Sequence, residues 1–279
     1  MSIKPIRIAV SVFLLWGLSN TWSHAQIPTP PQAMISERAV SMHPWITPSP
    51  NTTSEVYFSN LLGNAQIETP FRVTFGLAGG WGLAPISSSV NGKSGHHHLL
   101  VNRDLPLDFS KALPFNDQYI HFGKGQMETV LSLEPGSYTL RLLLADDKHI
   151  PRFVYSKPLK ITVTRKNKDI DPKSLVTKGV SLFNIAPEAK FKSPFRVQFH
   201  ASGLNVAHVS QKEKETGHFQ LTMTSSKSGK PEILDFVNGQ TEAWLAPPVG
   251  AYKMQLDFVD NIVSGKSIAT SAPVSMRVE

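Results

Sequence analysis

The 279-residue sequence contains no cysteine. No disulfide can staple it, and no thiolate can ligate or attack. Its cores must hold by packing, and any metal must be met by imidazole, carboxylate, thioether or backbone oxygen. Long apolar runs are missing too: Ile8 to Leu18 falls well short of the roughly 20 residues that a membrane-crossing helix needs, and no later segment comes closer. Hydrolase signatures of the Gly-x-Ser-x-Gly, Ser-x-x-Lys and His-Glu-x-x-His types do not occur. Gly79-Gly80-Trp81-Gly82 lacks the strand–loop–helix setting of a phosphate loop and reads as a tight interstrand turn. Charge is modest. The formal +7 becomes +5 once Lys4 and Arg7 are set aside, a tilt that suits an anionic envelope polymer or a protein partner. Without a base-stacking motif it does not point to nucleic acid.

What is present begins with an export signal. Lys4 and Arg7 precede the apolar stretch, and Ser23-His24-Ala25 supplies small residues for a cleavage site. Residues 1–25 are expected to be a signal peptide, and the mature chain to be periplasmic or secreted with no membrane span. Residues 26–54 include Ile27-Pro28-Thr29-Pro30-Pro31 and Pro44-Trp45-Ile46-Thr47-Pro48-Ser49-Pro50. That composition predicts an extended, mobile leader.

The rest is a repeat. Thr69-Pro70-Phe71-Arg72-Val73-Thr74-Phe75 matches Ser193-Pro194-Phe195-Arg196-Val197-Gln198-Phe199. Further on, Ser94-Gly95-His96 matches Thr216-Gly217-His218, Phe122 to Glu128 matches Phe236 to Glu242, and Pro135-Gly136-Ser137-Tyr138 matches Val249-Gly250-Ala251-Tyr252. The order is kept, so one domain is duplicated. Val73 and Phe75 alternate with polar neighbours, the period of half-buried strands, and Tyr138, Leu140, Leu142 and Leu144 occupy one face of a strand. Gly-x-Tyr resembles the tyrosine corner of Greek-key sandwiches. The fold class is all-β, with two tandem immunoglobulin-like Greek-key β-sandwich domains at residues 55–165 and 179–279, joined by a linker over 166–178.

Five of the ten histidines crowd the first copy: His96, His97, His98, His121 and His149. The second copy serves as a control, because Phe219, Leu221 and Met223 mark the core face of the matching strand. Parity then buries His97 and turns His96 and His98 to the other face. His121, flanked by the core residues Ile120 and Phe122, also points away. Two imidazoles on one strand face lie about 7 Å apart and can converge on an ion, with further ligands from a neighbouring strand or turn. The candidate metal ligands are His96, His98, His121 and His149, with Asp147 as an alternative. Glu128 or Asp146 would stand behind a ligand and hold its second nitrogen. Glu128 recurs as Glu242, and Gln126 as Gln240, which equally suits a structural role. His96 recurs as His218 and also admits one.

The strings Ser94-Gly95-His96-His97-His98-Leu99-Leu100-Val101, Ile120 to Thr129 and Leu143 to Pro151 resemble the signature of a bacterial exported family, the domain of unknown function 4399. The resemblance covers residues 68 to 164, and the second copy keeps the frame without the histidines. It implies export and a sandwich, and assigns no ligand.

Two readings follow. One is a periplasmic module that binds Cu²⁺ or Zn²⁺ through the first copy's histidines, with affinity weakening as pH falls below about 6.5. The alternative is a non-catalytic interaction or structural protein of the envelope, with structural histidines and no cofactor. An enzyme finds no motif; its one form, a copper-dependent redox enzyme, would need the mature chain to begin at His24.

Overall fold

A computed structural model describes residues 42–50, 53–85, 92–106 and 108–279. The expected signal peptide and the leader through residue 41 lie outside the described residues. No helix among the described residues is long and apolar enough to cross a membrane.

In chain order, β1 (Ile46–Thr47) precedes the first copy. That copy comprises β2 (Val56–Phe58), β3 (Ala65–Thr69), β4 (Phe71–Leu77), β5 (Gly82–Leu83) and β6 (Ser94–Val101). It continues with β7 (Tyr119–Phe122), β8 (Glu128–Leu131), β9 (Gly136–Ala145), β10 (Pro151–Tyr155) and β11 (Leu159–Lys166). A short 3-10 turn, Pro172–Leu175, lies in the linker, with the Asp171 carboxylate accepting from the Lys173 amide. The second copy holds β12 (Gly179–Leu182), β13 (Ala189–Phe191), β14 (Phe195–Ser202), β15 (Asn205–Val206) and β16 (Thr216–Ser225). Then come β17 (Pro231–Phe236), β18 (Glu242–Leu245), β19 (Gly250–Asp260), β20 (Ser267–Thr270) and β21 (Val274–Val278).

The copies correspond strand for strand. One sheet runs β2-β4-β8 in the first and β12-β14-β18 in the second; the other runs β3-β11-β9-β6-β5 and β13-β21-β19-β16-β15. In both, the strand after β6 or β16 pairs back on it, and a short strand (β10 or β20) pairs with the long β9 or β19. Both carry a cis proline at the same place, Thr69–Pro70 and Ser193–Pro194. Val73 and Val197 are buried, as their alternation requires. The Tyr138 hydroxyl donates to the Glu134 carbonyl at 2.8 Å, and Tyr252 to Pro248 at 2.8 Å, so both tyrosine corners are formed. These are two immunoglobulin-like sandwiches.

Their cores are continuous, with Val56, Phe75 and Leu77 packed in one apolar cluster with Val197, Phe199 and Val206. The contacts across the junction are reciprocal. The Val206 amide donates to Gly125 O at 2.9 Å, and the equivalent Leu83 amide donates to Gly239 O at 2.8 Å. Glu128 accepts from groups of the second copy, while its counterpart Glu242 accepts from Tyr57 of the first at 3.1 Å. The Tyr57 ring lies over Gly76, where a Cβ would come within 2.2 Å of it. In the second copy the bulk is exchanged: His200 stands at the glycine's place and Ser181 opposite it.

The leader differs from expectation. Its residues 43–47 are ordered against the second copy, where β1 pairs antiparallel with β18 (Ile46 with Leu245, Thr47 with Trp244). The Ala246 amide donates to Trp45 O at 2.8 Å, and the Trp45 ring meets Tyr252 edge-on at 5.7 Å. A proline-rich segment cannot build a core, but two residues suffice to close an exposed sheet edge.

Candidate metal centre

Strand β6 carries the three adjacent histidines, and its parity separates them. His97 faces the core, where its Nδ1 lies 3.1 Å from Gln126 O and its ring meets Phe75 edge-on. His96 and His98 share the opposite face with Leu100. That face is also buried, at 1% and 0% exposure for the two rings. A second, smaller apolar cluster of Leu100, Leu113, Leu143 and Ala145 lies beside them, with Leu105 and Phe109 of the segment between β6 and β7 packed against it. In the second copy only residues 226–230 join the equivalent strands.

The partners arrive from two elements. Antiparallel register sets His121 of β7 directly opposite His98. His149 comes from the turn after β9, in a left-handed conformation (φ 62°), with its amide donating to Asp146 O at 2.9 Å. The Asp146 carboxylate shapes that turn by accepting from the amides of Lys148 and Ile150, both at 2.9 Å.

The four rings converge. His96 Nε2 and His98 Nε2 are 3.0 Å apart, His121 Nε2 and His149 Nε2 3.3 Å, and all four ligand atoms lie within 4.8 Å of one another. Nitrogens sharing a tetrahedral ion at about 2.0–2.1 Å sit roughly 3.3–3.5 Å apart, so small ring movements would close the set. Burial first, and then the neighbouring rings, hold the pKa of His96 down to about 3 and that of His98 to about 2. Burial also lowers His121 and His149, with Asp146 pulling His149 partly back. All four are therefore neutral near pH 7, the form that ligates. Four nitrogens without a carboxylate suit Cu²⁺ or Zn²⁺, whereas Ca²⁺ and Mg²⁺ demand oxygen. The residues fit such an ion.

Two expectations are corrected. Glu128 does not stand behind a ligand: its carboxylate is committed to His200 Nε2 at 3.0 Å, Ser202 Oγ at 2.8 Å and the Gly203 amide at 3.0 Å. Asp146 supports His149 through the backbone of the turn and forms an ion pair with Arg152 at 3.4 Å, without a hydrogen bond to a ring. The alternative ligand Asp147 is not in the convergent set. Phe115 was not foreseen. It lies edge-on to His149 at 4.6 Å and to His121 at 5.2 Å, covering the two half-buried rings. The one signal for it is that its loop has no counterpart in the second copy.

The second copy shows the same frame without the site. Gln220 and Asp235 replace the His98–His121 pair and bond to each other at 2.6 Å, and Val263 is exposed where His149 would be. His218 Nδ1 bonds Asn261 Oδ1 at 2.7 Å, a structural histidine.

The sequence profile of a family described as a domain of unknown function (DUF4399) matches residues 73–164 and again 197–279. No curated protein matches the chain. Among solved structures, the FN1–FN3 domains of chicken CNTN1 are 11% identical, with 84% of this chain and 69% of that one covered at a TM-score of 0.26. A two-domain fibronectin type III segment of chicken tenascin is 13% identical over 81% of this chain and 98% of that one, at a TM-score of 0.21. With scores this low, the sandwich assignment rests on the strand order.

Proposed function

The chain belongs to the DUF4399 family, and we propose that its first sandwich is a periplasmic or secreted metal-binding module that takes Cu²⁺ or Zn²⁺. The observation that carries the reading is the convergence of His96, His98, His121 and His149 from two strands and a turn onto ligand atoms within 4.8 Å. A core histidine needs one partner, as His218 has in Asn261. Here the ring nitrogens chiefly face each other, and the buried Nδ1 atoms of His96 and His98 have no hydrogen-bond partner. Hydrogen bonding can satisfy these Nε2 atoms only in pairs, one ring donating and the other accepting, whereas a cation among them would accept the lone pairs of all four at once. Four protein ligands leave no open coordination position, which favours holding an ion over catalysis at it.

Burial shifts the expected acid limit. His96 and His98 take up protons only far below the ordinary imidazole range, so binding should weaken where His121 and His149 protonate, below their usual 6.5. The test uses untagged protein. Micromolar Cu²⁺ or Zn²⁺ should raise the melting temperature, since at a hundredfold excess over Kd the gain is about 2.7 kcal/mol, or roughly 5–10 °C for a chain of this size. His98→Ala should abolish the shift. An unmoved melting temperature in wild-type protein with either metal would leave the histidines a structural role.

A further inference from the structure

Strands β8 and β18 are equivalent, but their outer edges differ. The edge of β18 is covered by β1, and the flanking His43 reaches across to Glu232 of β17 at 3.4 Å. Residues 43–47 thus fill the groove between β17 and β18. In the first copy the equivalent groove, between β7 and β8, has a volume of about 450 Å³. Among the described residues β8 pairs with β4 and with no other strand. The ladder fixes which groups face outward. The Phe75 amide donates to Met127 O, so with antiparallel alternation the N–H and C=O of Val130 and Ser132 point away from β4. Ser132 corresponds to Ala246, whose amide donates to Trp45 O in the second copy. Its walls mix apolar and aromatic groups, among them Phe115, Tyr119, Ile120 and Val130, with polar ones that include Asp117 and His121.

We propose that the open edge of β8 docks an extended segment of another polypeptide, which adds an antiparallel strand as β1 does on β18. The partner's chemistry follows from that internal template. Main-chain groups bond Val130 and Ser132, and an aromatic residue followed by a β-branched one, as in Trp45-Ile46, enters the groove. Unpaired edges invite such addition unless charge or proline blocks them, and β8 (Glu-Thr-Val-Leu) has neither a lysine nor a proline. The groove borders the candidate metal centre and shares Phe115 and His121 with it, but the outward main-chain groups of Val130 and Ser132 are available with or without an ion.

The probe is a synthetic peptide of residues 42–50, Met-His-Pro-Trp-Ile-Thr-Pro-Ser-Pro, added to the full chain, whose own β18 edge is already covered. Saturable binding below ~1 mM is expected, with exchange of the Val130 and Ser132 amides slowed at least about tenfold. Replacing the peptide's tryptophan by alanine should weaken binding at least tenfold. Ser132→Pro removes the N–H that would donate to the docked segment and should abolish binding with the melting temperature kept. If that variant is unstable, Leu133→Asp, on the groove wall, gives the same test. Absence of saturation would overturn the proposal. So would protection confined to Trp244 and Ala246, which would mean exchange with the chain's own strand. Self-association of the chain through β8, abolished by Ser132→Pro, would replace the foreign segment by a second copy.

Discussion

Replacing Glu128 by alanine removes the acceptor of three donors at once. His200 Nε2, Ser202 Oγ and the Gly203 amide lie 2.8–3.0 Å from its oxygens, and the side chain is 7% exposed. Water has little access to replace it. A hydrogen bond to a charged group contributes about 1.5–3 kcal/mol, but the three do not add, because the Ser202 hydroxyl can turn to another acceptor. Stripping one partner from a buried charged cluster costs about 3–5 kcal/mol, and that range is expected here. It is a large part of the roughly 5–15 kcal/mol by which folded chains are stable. Urea unfolding followed by tryptophan fluorescence and circular dichroism reads it, and the continuous core predicts one transition shared by both copies. Glu134→Ala, which breaks an exposed ion pair with Lys166, is the control and should move stability by less than ~1 kcal/mol. A Glu128→Ala loss no larger than the control's would refute the reasoning: these bonds would then not hold the sandwiches together.

Other outcomes can be checked alongside. Burial pushes the Glu128 carboxyl up, but the hydrogen bonds from His200 and Ser202 outweigh it and leave the group below its ordinary 4.5. A lowered acid contributes its stability above the ordinary value and loses it as pH falls from about 4.5 towards the folded value, so the urea midpoint should drop there, and less steeply in Glu128→Gln. Gly76→Ala drives a methyl into the Tyr57 ring and should cost about 1–3 kcal/mol, recovered in part by Tyr57→Ser, the arrangement the second copy uses. Phe115→Ala leaves all four nitrogens in place but uncovers His121 and His149, so a chelator should strip bound metal faster while affinity changes little; an unchanged stripping rate would show that the ring is no cover.

Much of this was legible in the chain because strands repeat every two residues. Parity alone separated His97 from His96 and His98, and the second copy identified which face was core. The register that sets His121 opposite His98 was not read from the sequence, because it depends on where β7 pairs back on β6. His149 was harder, because its approach depends on a left-handed residue in a turn held by Asp146, a geometry that period cannot express. The burial of His96 and His98 was not legible either. On that face lies a cluster to which the segment between β6 and β7 contributes Leu105, Phe109 and Leu113, four residues apart, a spacing that marks neither a strand nor what the segment will cover. Glu128 was open to two roles, and its recurrence as Glu242 pointed to the structural one; of the four convergent histidines, only His96 recurs, as His218, while the other three are peculiar to the first copy.

The strand laid across β18 is synthesised early and seated late. About 200 residues separate Thr47 from its partner, so at roughly 5–20 residues per second the segment waits some 10–40 s for the edge it will cover. Through that interval Trp45, Ile46 and Thr47 form a short adhesive stretch whose own edge does not yet exist. Pro44 and Pro48 bracket it and offer no N–H, so the stretch cannot lengthen into a strand that would capture a neighbour. The prolines that look like a sign of slackness are what let this clasp stay unfastened until its catch exists.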